Sequence, residues 1–198
     1  MVEYNKNLIS QRLDYMSESQ RVAFAASCCE RLLPNYKKFV EVDNWGDYNS
    51  LRRILNRIWN HASGQIISND EIRQFLKICY DVVPNSDDFT SMYTSYAIDA
   101  GASLYNTLKY CLEGDIKCLT SVVDASINTV DLFIQEKYNI CPSDPNLEQK
   151  ITSEKLMQTE LKKQLEDLNL IENHLIIDEQ FLTSFRSPLE GKSNIELA

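Results

Sequence analysis

Leu51, Ile54, Leu55 and Ile58 recur at i, i+3, i+4 and i+7, the spacing that puts four apolar side chains on one face of a helix. Comparable spacing runs through most of the chain, and the apolar/polar alternation of half-buried strands is scarce. A first periodic segment covers about 4–15. Ser17-Glu-Ser-Gln20 then fits a capping box, and a helix over about 18–33 follows. Pro34 is expected to bend the chain and open a new short helix over 34–41. Ser68-Asn-Asp-Glu71 reads as a second capping box, for a helix reaching Val82 before Pro84. Ser86 or Asp87 can cap the next, running from about 90 to 112 with Gly114 as its stop. Ile116–Tyr138 carries Leu119, Val123, Ile127, Val130 and Ile134 on one face. After Pro142 and Pro145, one long helix is expected over 147–176, with Leu161, Leu165, Leu168 and Leu175 on a seam that Glu172 interrupts. A short helix follows near 179–186.

These elements predict an all-α, single-domain multi-helix bundle of about seven or eight helices across residues 1–198, closing in a polar tail over 188–198. The stretch 139–146 reads as a loop inside that domain, because the C-terminal helix could not bury its apolar face alone. Only 5 Gly and 5 Pro interrupt the chain, too few for the frequent turns of a sandwich or barrel.

Charge narrows the choice of partner. With 20 Lys+Arg against 29 Asp+Glu the formal net charge is −9, and residues 143–198 carry 11 acids against 6 bases. An acidic surface disfavours both nucleic acid and anionic membranes. The N-terminal residues are polar, and no run of about 18 apolar residues occurs, so a cytoplasmic protein is expected. In that setting the six cysteines read as free thiols, most of them packing inside helical patterns.

Chemistry is sparse. The two histidines, His61 and His174, lie more than a hundred residues apart, and no Cys-x-x-Cys occurs. Adjacent Cys28 and Cys29 diverge by about 100° on a helix, which is poor geometry for joint ligation, so no metal is expected. No Gly-rich phosphate loop and no local nucleophile signature is present, so no cofactor and no catalytic residue is assigned. Arg53 and Arg57 fall opposite the Leu51/Ile54/Ile58 face. Arg52 lies on its flank near Trp59, where it could hold an anion or pair with a buried carboxylate. Glu30 and Arg31 draw more notice. Val22, Ala26, Cys29 and Leu33 form one stripe of their helix, and Phe24 with Cys28 lies nearly opposite. A helix apolar on two sides is buried on two sides, so at least one of these charges needs a partner. Asp99, an acid among small residues in Ala97-Ile-Asp-Ala-Gly-Ala-Ser103, is a comparable case. Glu30, Arg31, Asn35, Tyr36, Arg52 and Asp99 therefore form the candidate cluster, either a structural clamp or the floor of a site.

Phe24-Ala-Ala-Ser-Cys-Cys-Glu-Arg-Leu-Leu-Pro-Asn-Tyr36 followed by Leu51-Arg-Arg-Ile-Leu-Asn-Arg-Ile-Trp59 resembles the YjaG-like bacterial proteins, domain-of-unknown-function family 416. Pro84…Asp87-Asp-Phe89, Ala97-Ile-Asp-Ala100, Ser126-Ile-Asn-Thr-Val130 and Ser193-Asn-Ile195 fit in the same order, so the likeness spans about residues 10–195. Tyr96 stands where the family pattern has a proline, and Glu196 where it has a glycine. The resemblance implies a helical, bacterial protein of single-domain size and, through genomic association with histidine kinases, a signalling setting. It transfers no catalytic residue.

The function expected on these grounds is non-catalytic: a protein-interaction or signalling-associated module whose partner is another protein. A homodimer through the C-terminal leucine seam is a further option. The alternative is a small-molecule or anion-binding protein, which could be an enzyme, with a polar pocket around Glu30 and Arg52.

Overall fold

The structure, a computed structural model, describes residues 2–196. Those residues form nine α-helices and no strand, against the seven or eight helices expected. The helices are α1 (Lys6–Tyr15), α2 (Glu18–Asp43), α3 (Tyr48–Ala62), α4 (Asn69–Val82), α5 (Tyr93–Glu113), α6 (Ile116–Tyr138), α7 (Leu147–Ser153), α8 (Lys155–Glu172) and α9 (Glu179–Arg186).

Local signals account for most of these limits. The Ser17/Gln20 capping box is complete, and Gly114 closes α5 in the left-handed conformation. Ser68 accepts from the Glu71 N–H as expected, but the Glu71 carboxylate turns to Arg57 rather than back to the cap. Neither Ser86 nor Asp87 caps α5. They lie in a 3-10 turn, Ser86–Asp88, whose first N–H groups are met by Asn85.

Two breaks fall elsewhere than expected. Pro34 does not end a helix, because α2 continues through it to Asp43. The missing N–H leaves the Glu30 carbonyl without its helical donor, and the ring disturbs the ladder around it. The neighbouring Arg31 carbonyl accepts from the backbone N–H of Asn194, at 3.1 Å. The long helix expected over 147–176 is divided at Glu154, whose backbone is extended, and α8 ends at Glu172. Gln20, the residue that closes the α2 capping box, donates from its Nε2 to the carbonyls of Ile171, Glu172 and His174. One side chain thus serves the start of α2 and the end of α8.

α2 lies at the centre. Every residue from Val22 through Leu33 is buried, as a helix apolar on opposite sides must be, and α3, α5, α6 and α8 pack around it. A second, smaller apolar cluster joins Val130 and Ile134 of α6 to Ile151 of α7 and to Leu156, Met157 and Leu161 of α8. The leucine seam is spent largely inside the chain: Leu161 and Leu168 are buried, while Leu175 lies past the end of α8, in solvent. In the polar tail, Leu189, Ser193 and Asn194 are buried; residues 197 and 198 lie outside the described part.

Close approach of α4 and α5 depends on Gly101. A Cβ at this position would lie 2.2 Å from Val83 Cγ2, at the end of α4. Gly101→Ala is therefore expected to destabilise the protein by about 1–3 kcal/mol in urea unfolding, the range for overpacking a filled site. Val83→Ala in the same chain should restore most of that loss; equal losses in both backgrounds would show that the contact is not the cause.

Candidate functional site

Glu30 and Arg31 are both only 1% exposed, and as neighbours on α2 they leave the helix about 100° apart. They are neutralised from different sides. Glu30 faces α3 and α9. Arg52 of α3 grips its carboxylate with both terminal nitrogens, at 2.5 and 2.9 Å, and Trp59 Nε1 donates to Oε2 at 2.8 Å. Arg186 of α9 lies over the Trp59 ring and brings its Nε to 3.4 Å from the same oxygen. Of the two roles open to Arg52, pairing with a buried carboxylate is the one observed. The Glu30 carboxylate is fully engaged by this fork, the indole and the second guanidinium.

Arg31 faces α8. Its Nη2 donates to Glu160 Oε1 at 3.0 Å and its Nη1 to Asp167 Oδ2 at 2.7 Å, both carboxylates being fully buried. Lys163 also pairs with Asp167, and Gln164 Nε2 donates to Glu160 at 2.9 Å. Burial opposes the Arg31 charge, yet the adjacent carboxylates, led by Glu160, hold its pKa above the ordinary guanidinium value.

The remaining candidates belong to other connections. Asn35 sits two turns beyond Ser27 on α2 and binds the C-terminal segment. Its Nδ2 donates to Asn194 Oδ1 at 3.0 Å and its Oδ1 accepts from Ser193 Oγ, while Asn194 Nδ2 reaches the Ser126 carbonyl of α6 at 3.0 Å. Tyr36 donates its hydroxyl to the Val82 carbonyl at 2.6 Å and accepts from the Asp47 N–H at 3.1 Å, tying α2 to the end of α4 and the α2–α3 loop. Gly46 completes that loop at φ +100°, where a Cβ would meet the tyrosine oxygen at 2.5 Å. Asp99 of α5 accepts from Thr129 of α6 at 2.7 Å.

Of the six candidate residues, then, the structure joins only Glu30 and Arg52 directly. Trp59, Glu160, Asp167, Arg186, Ser193 and Asn194 complete the networks and were not singled out from the sequence. A signal for two of them existed. Glu160 and Asp167 fall in register with Met157, Leu161, Leu168 and Ile171, placing acids on the apolar stripe of α8. The cysteines of α2 pack: burial raises the Cys28 thiol to about 11 and pushes Cys29 higher still, away from the thiolate form a nucleophile needs.

Chemically, these networks are clamps. Removing Arg31 leaves buried Glu160 with the Gln164 amide alone and buried Asp167 with Lys163 alone, so Arg31→Met is expected to cost about 3–5 kcal/mol in urea unfolding. Arg52→Met should cost less than half as much, because Trp59 and Arg186 remain on Glu30; the reverse order would contradict this division of roles. Asp99 carries a pH signature. Burial pushes its carboxyl up to about 6 from an ordinary 3.8, with the Thr129 bond acting against that shift. Between these two values the unfolded chain has released the proton that the folded chain still holds, so the Asp99 contribution falls as pH rises from about 4 to 6 and is constant on either side. Urea unfolding across that range should show Asp99→Asn gaining on the wild type only inside this window. Parallel curves would remove Asp99 from the pH dependence.

Known proteins carry the same pattern. A family model described as "Protein of unknown function (DUF416)" matches residues 8–198. The chain is similar to the uncharacterized protein YjaG of Escherichia coli K12, 32% identical over 133 residues. That alignment takes in 65% of this chain and 65% of YjaG, so it spans just under two thirds of the relative. An uncharacterized protein of Haemophilus influenzae is 24% identical over 194 residues, 96% of each chain. The crystal structure of a DUF416 family protein from Shewanella baltica superposes with a TM-score of 0.85 at 25% identity, covering 94% of this chain and 96% of its own. The match over residues 8–198 carries nearly every element of the bundle: the chain belongs to the DUF416 family of proteins of unknown function.

Proposed function

We propose that the chain is a non-catalytic protein-interaction module whose docking face surrounds the start of α2. The observation that carries this reading is a ring of exposed apolar side chains at one end of the bundle. Tyr15 is 89% exposed, Ile66 88%, Leu175 94% and Ile176 71%. The first turns of α2 hold the segments that bear them. Arg21 donates to the Leu13 and Asp14 carbonyls at the end of α1, at 2.7 and 2.8 Å. Gln20 holds the His174 carbonyl just before Leu175, and Glu18 pairs with His61, whose Nδ1 lies 3.0 Å from the Gln65 carbonyl next to Ile66. Large apolar side chains left in water on a rigid frame favour a partner that covers them.

The acids beside them, Asp14, Glu18, Asp178 and Glu179, select a partner whose apolar face is flanked by basic residues. A second copy of this chain, also carrying a net charge of −9, is a poor fit at such a rim. The polar interior supports the non-catalytic part, because the Glu30 and Arg31 groups are engaged by the protein itself. The signalling setting rests on the family resemblance alone.

Ile66→Lys with Leu175→Lys should leave the circular dichroism spectrum and Tm unchanged and abolish capture of the protein that the wild-type chain retains from bacterial extract. Unaltered capture, or a wild-type mass that rises from 22.9 kDa with concentration in light scattering, would overturn this reading.

A further inference from the structure

The smaller apolar cluster does not close. Between α6, α7 and α8 an open cavity of 530 Å³ remains, within the size range of small-molecule sites. Ile127, Ile151, Met157 and Leu161 supply apolar walls. The N-terminal segment lines its outer side and is held there by paired bonds, Val2 N–H to Gln158 Oε1 at 2.7 Å and Gln158 Nε2 to the Val2 carbonyl at 2.9 Å. Across Glu3, Tyr4 and Leu161 lies an adjoining chamber of 50 Å³, lined also by Gln164.

The charged groups along this pair of chambers are all carboxylates, beside the neutral Tyr4, Asn5, Thr152 and Gln164 side chains. Glu3, Asp131 and Glu148 stand around the larger one, and no Lys, Arg or His lines either chamber. Among the described residues no basic side chain lies within 4 Å of these three carboxylates; Asp131, half-buried, has Gln135 Nε2 at 2.6 Å and no cation. Gln164 is only 1% exposed. Its Nε2 is used by Glu160, which leaves Oε1 buried with no donor. The Tyr4 hydroxyl is turned away, donating to Asp124 at 2.5 Å. A buried acceptor without a donor is costly, and a half-buried carboxylate without a counter-charge, here Asp131 with the exposed Glu3 and Glu148 nearby, favours a cation.

We propose that this cavity binds a small organic cation: a primary ammonium carried on a short apolar body. The ammonium supplies three N–H donors and a positive charge to a site that offers acceptors and negative charge. The body lies against the isoleucine, leucine and methionine walls, where each buried methylene adds apolar stabilisation. This is a different surface from the proposed docking face, and it stands on separate observations.

The test uses the full chain and three six-carbon probes of similar shape, hexylamine, hexanol and hexanoate, at pH 7, followed through the methionine methyl resonances. Hexylamine is expected to shift the Met157 methyl saturably while Met16 and Met92 stay in place. Hexanol should bind about tenfold or more weakly, since a charged hydrogen bond separates the two, and hexanoate weaker still. Asp131→Asn, a half-buried position outside the clamps, should keep its Tm and lose about tenfold in hexylamine affinity. The proposal is overturned by an absent or non-saturating shift with hexylamine, by hexanol matching the amine, or by full affinity in Asp131→Asn. Equal movement of Met16 and Met92 would likewise overturn it.

Discussion

From Val22 to Leu33 α2 is buried on every side and has no place in water for a charge, yet this stretch carries two at consecutive positions. Glu30 and Arg31 leave the helix in directions about 100° apart, so a single counter-ion cannot serve both. The chain meets this constraint with segments from far along the sequence. α3 and α9 bring Arg52, Trp59 and Arg186 to Glu30; α8 brings Glu160 and Asp167 to Arg31. Apolar packing alone would let α8 slide along α2 by a turn at modest cost. Two carboxylates that must both reach one guanidinium forbid the slide, because any other register leaves a buried charge unpaired.

The C-terminal segment obeys a similar logic at the backbone. Pro34 interrupts the hydrogen-bond ladder of α2 at the Glu30 carbonyl without ending the helix, and the next carbonyl, of Arg31, receives a donor from outside the helix. Asn194 supplies that donor as its N–H, while the side chains of Asn35, Ser193 and Asn194 close a buried set of bonds that extends to Ser126 on α6. A polar sequence is therefore compatible with burial where its groups meet their complements. Composition alone cannot express this: residues 188–198 read only as a polar tail, although Ser193 and Asn194 lie in the interior.

Elements governed by local physics were legible. The i, i+3, i+4, i+7 pattern of α3, the Ser17 cap, the left-handed Gly114 stop and the full extent of α6 and α9 depend on residues within a turn or two of themselves. Pro34 and Glu154 were misjudged because tertiary contacts decide them. The first sits in a helix that neighbours surround, so the lost bond is tolerated; the second sits where α7 must turn for Ile151 to join Leu156 and Met157 in the small cluster. Of the candidate site, the need to pair Glu30 and Arg31 was legible from the apolar sequence around them. Arg52, 22 residues from Glu30, was among the candidates, but the Arg31 partners were not, since pairing across more than a hundred residues leaves no local pattern. The acids on the apolar stripe of α8 were the one exception.

The distribution of satisfied and unsatisfied groups separates scaffold from surface chemistry. Around α2 the charged groups meet protein partners, and the geometry tightens accordingly: forked arginine, indole donor, amide to amide. The Glu30, Glu160 and Asp167 carboxylates and the Arg31 guanidinium cannot receive a ligand without first losing a partner of their own. At the α7–α8 break the balance is reversed. Dividing the helix at Glu154 sends Ile151 toward α6 but leaves a wedge whose outer side the N-terminal segment lines, and the groups left there without a counter-charge or donor are carboxylates and one amide oxygen. The start of α2 is a third situation, in which polar ties are complete and apolar side chains remain uncovered. Recognition is therefore expected where the protein has not already supplied the complement, at its uncovered end and beside its smaller core, rather than at the conspicuous charges of its central helix.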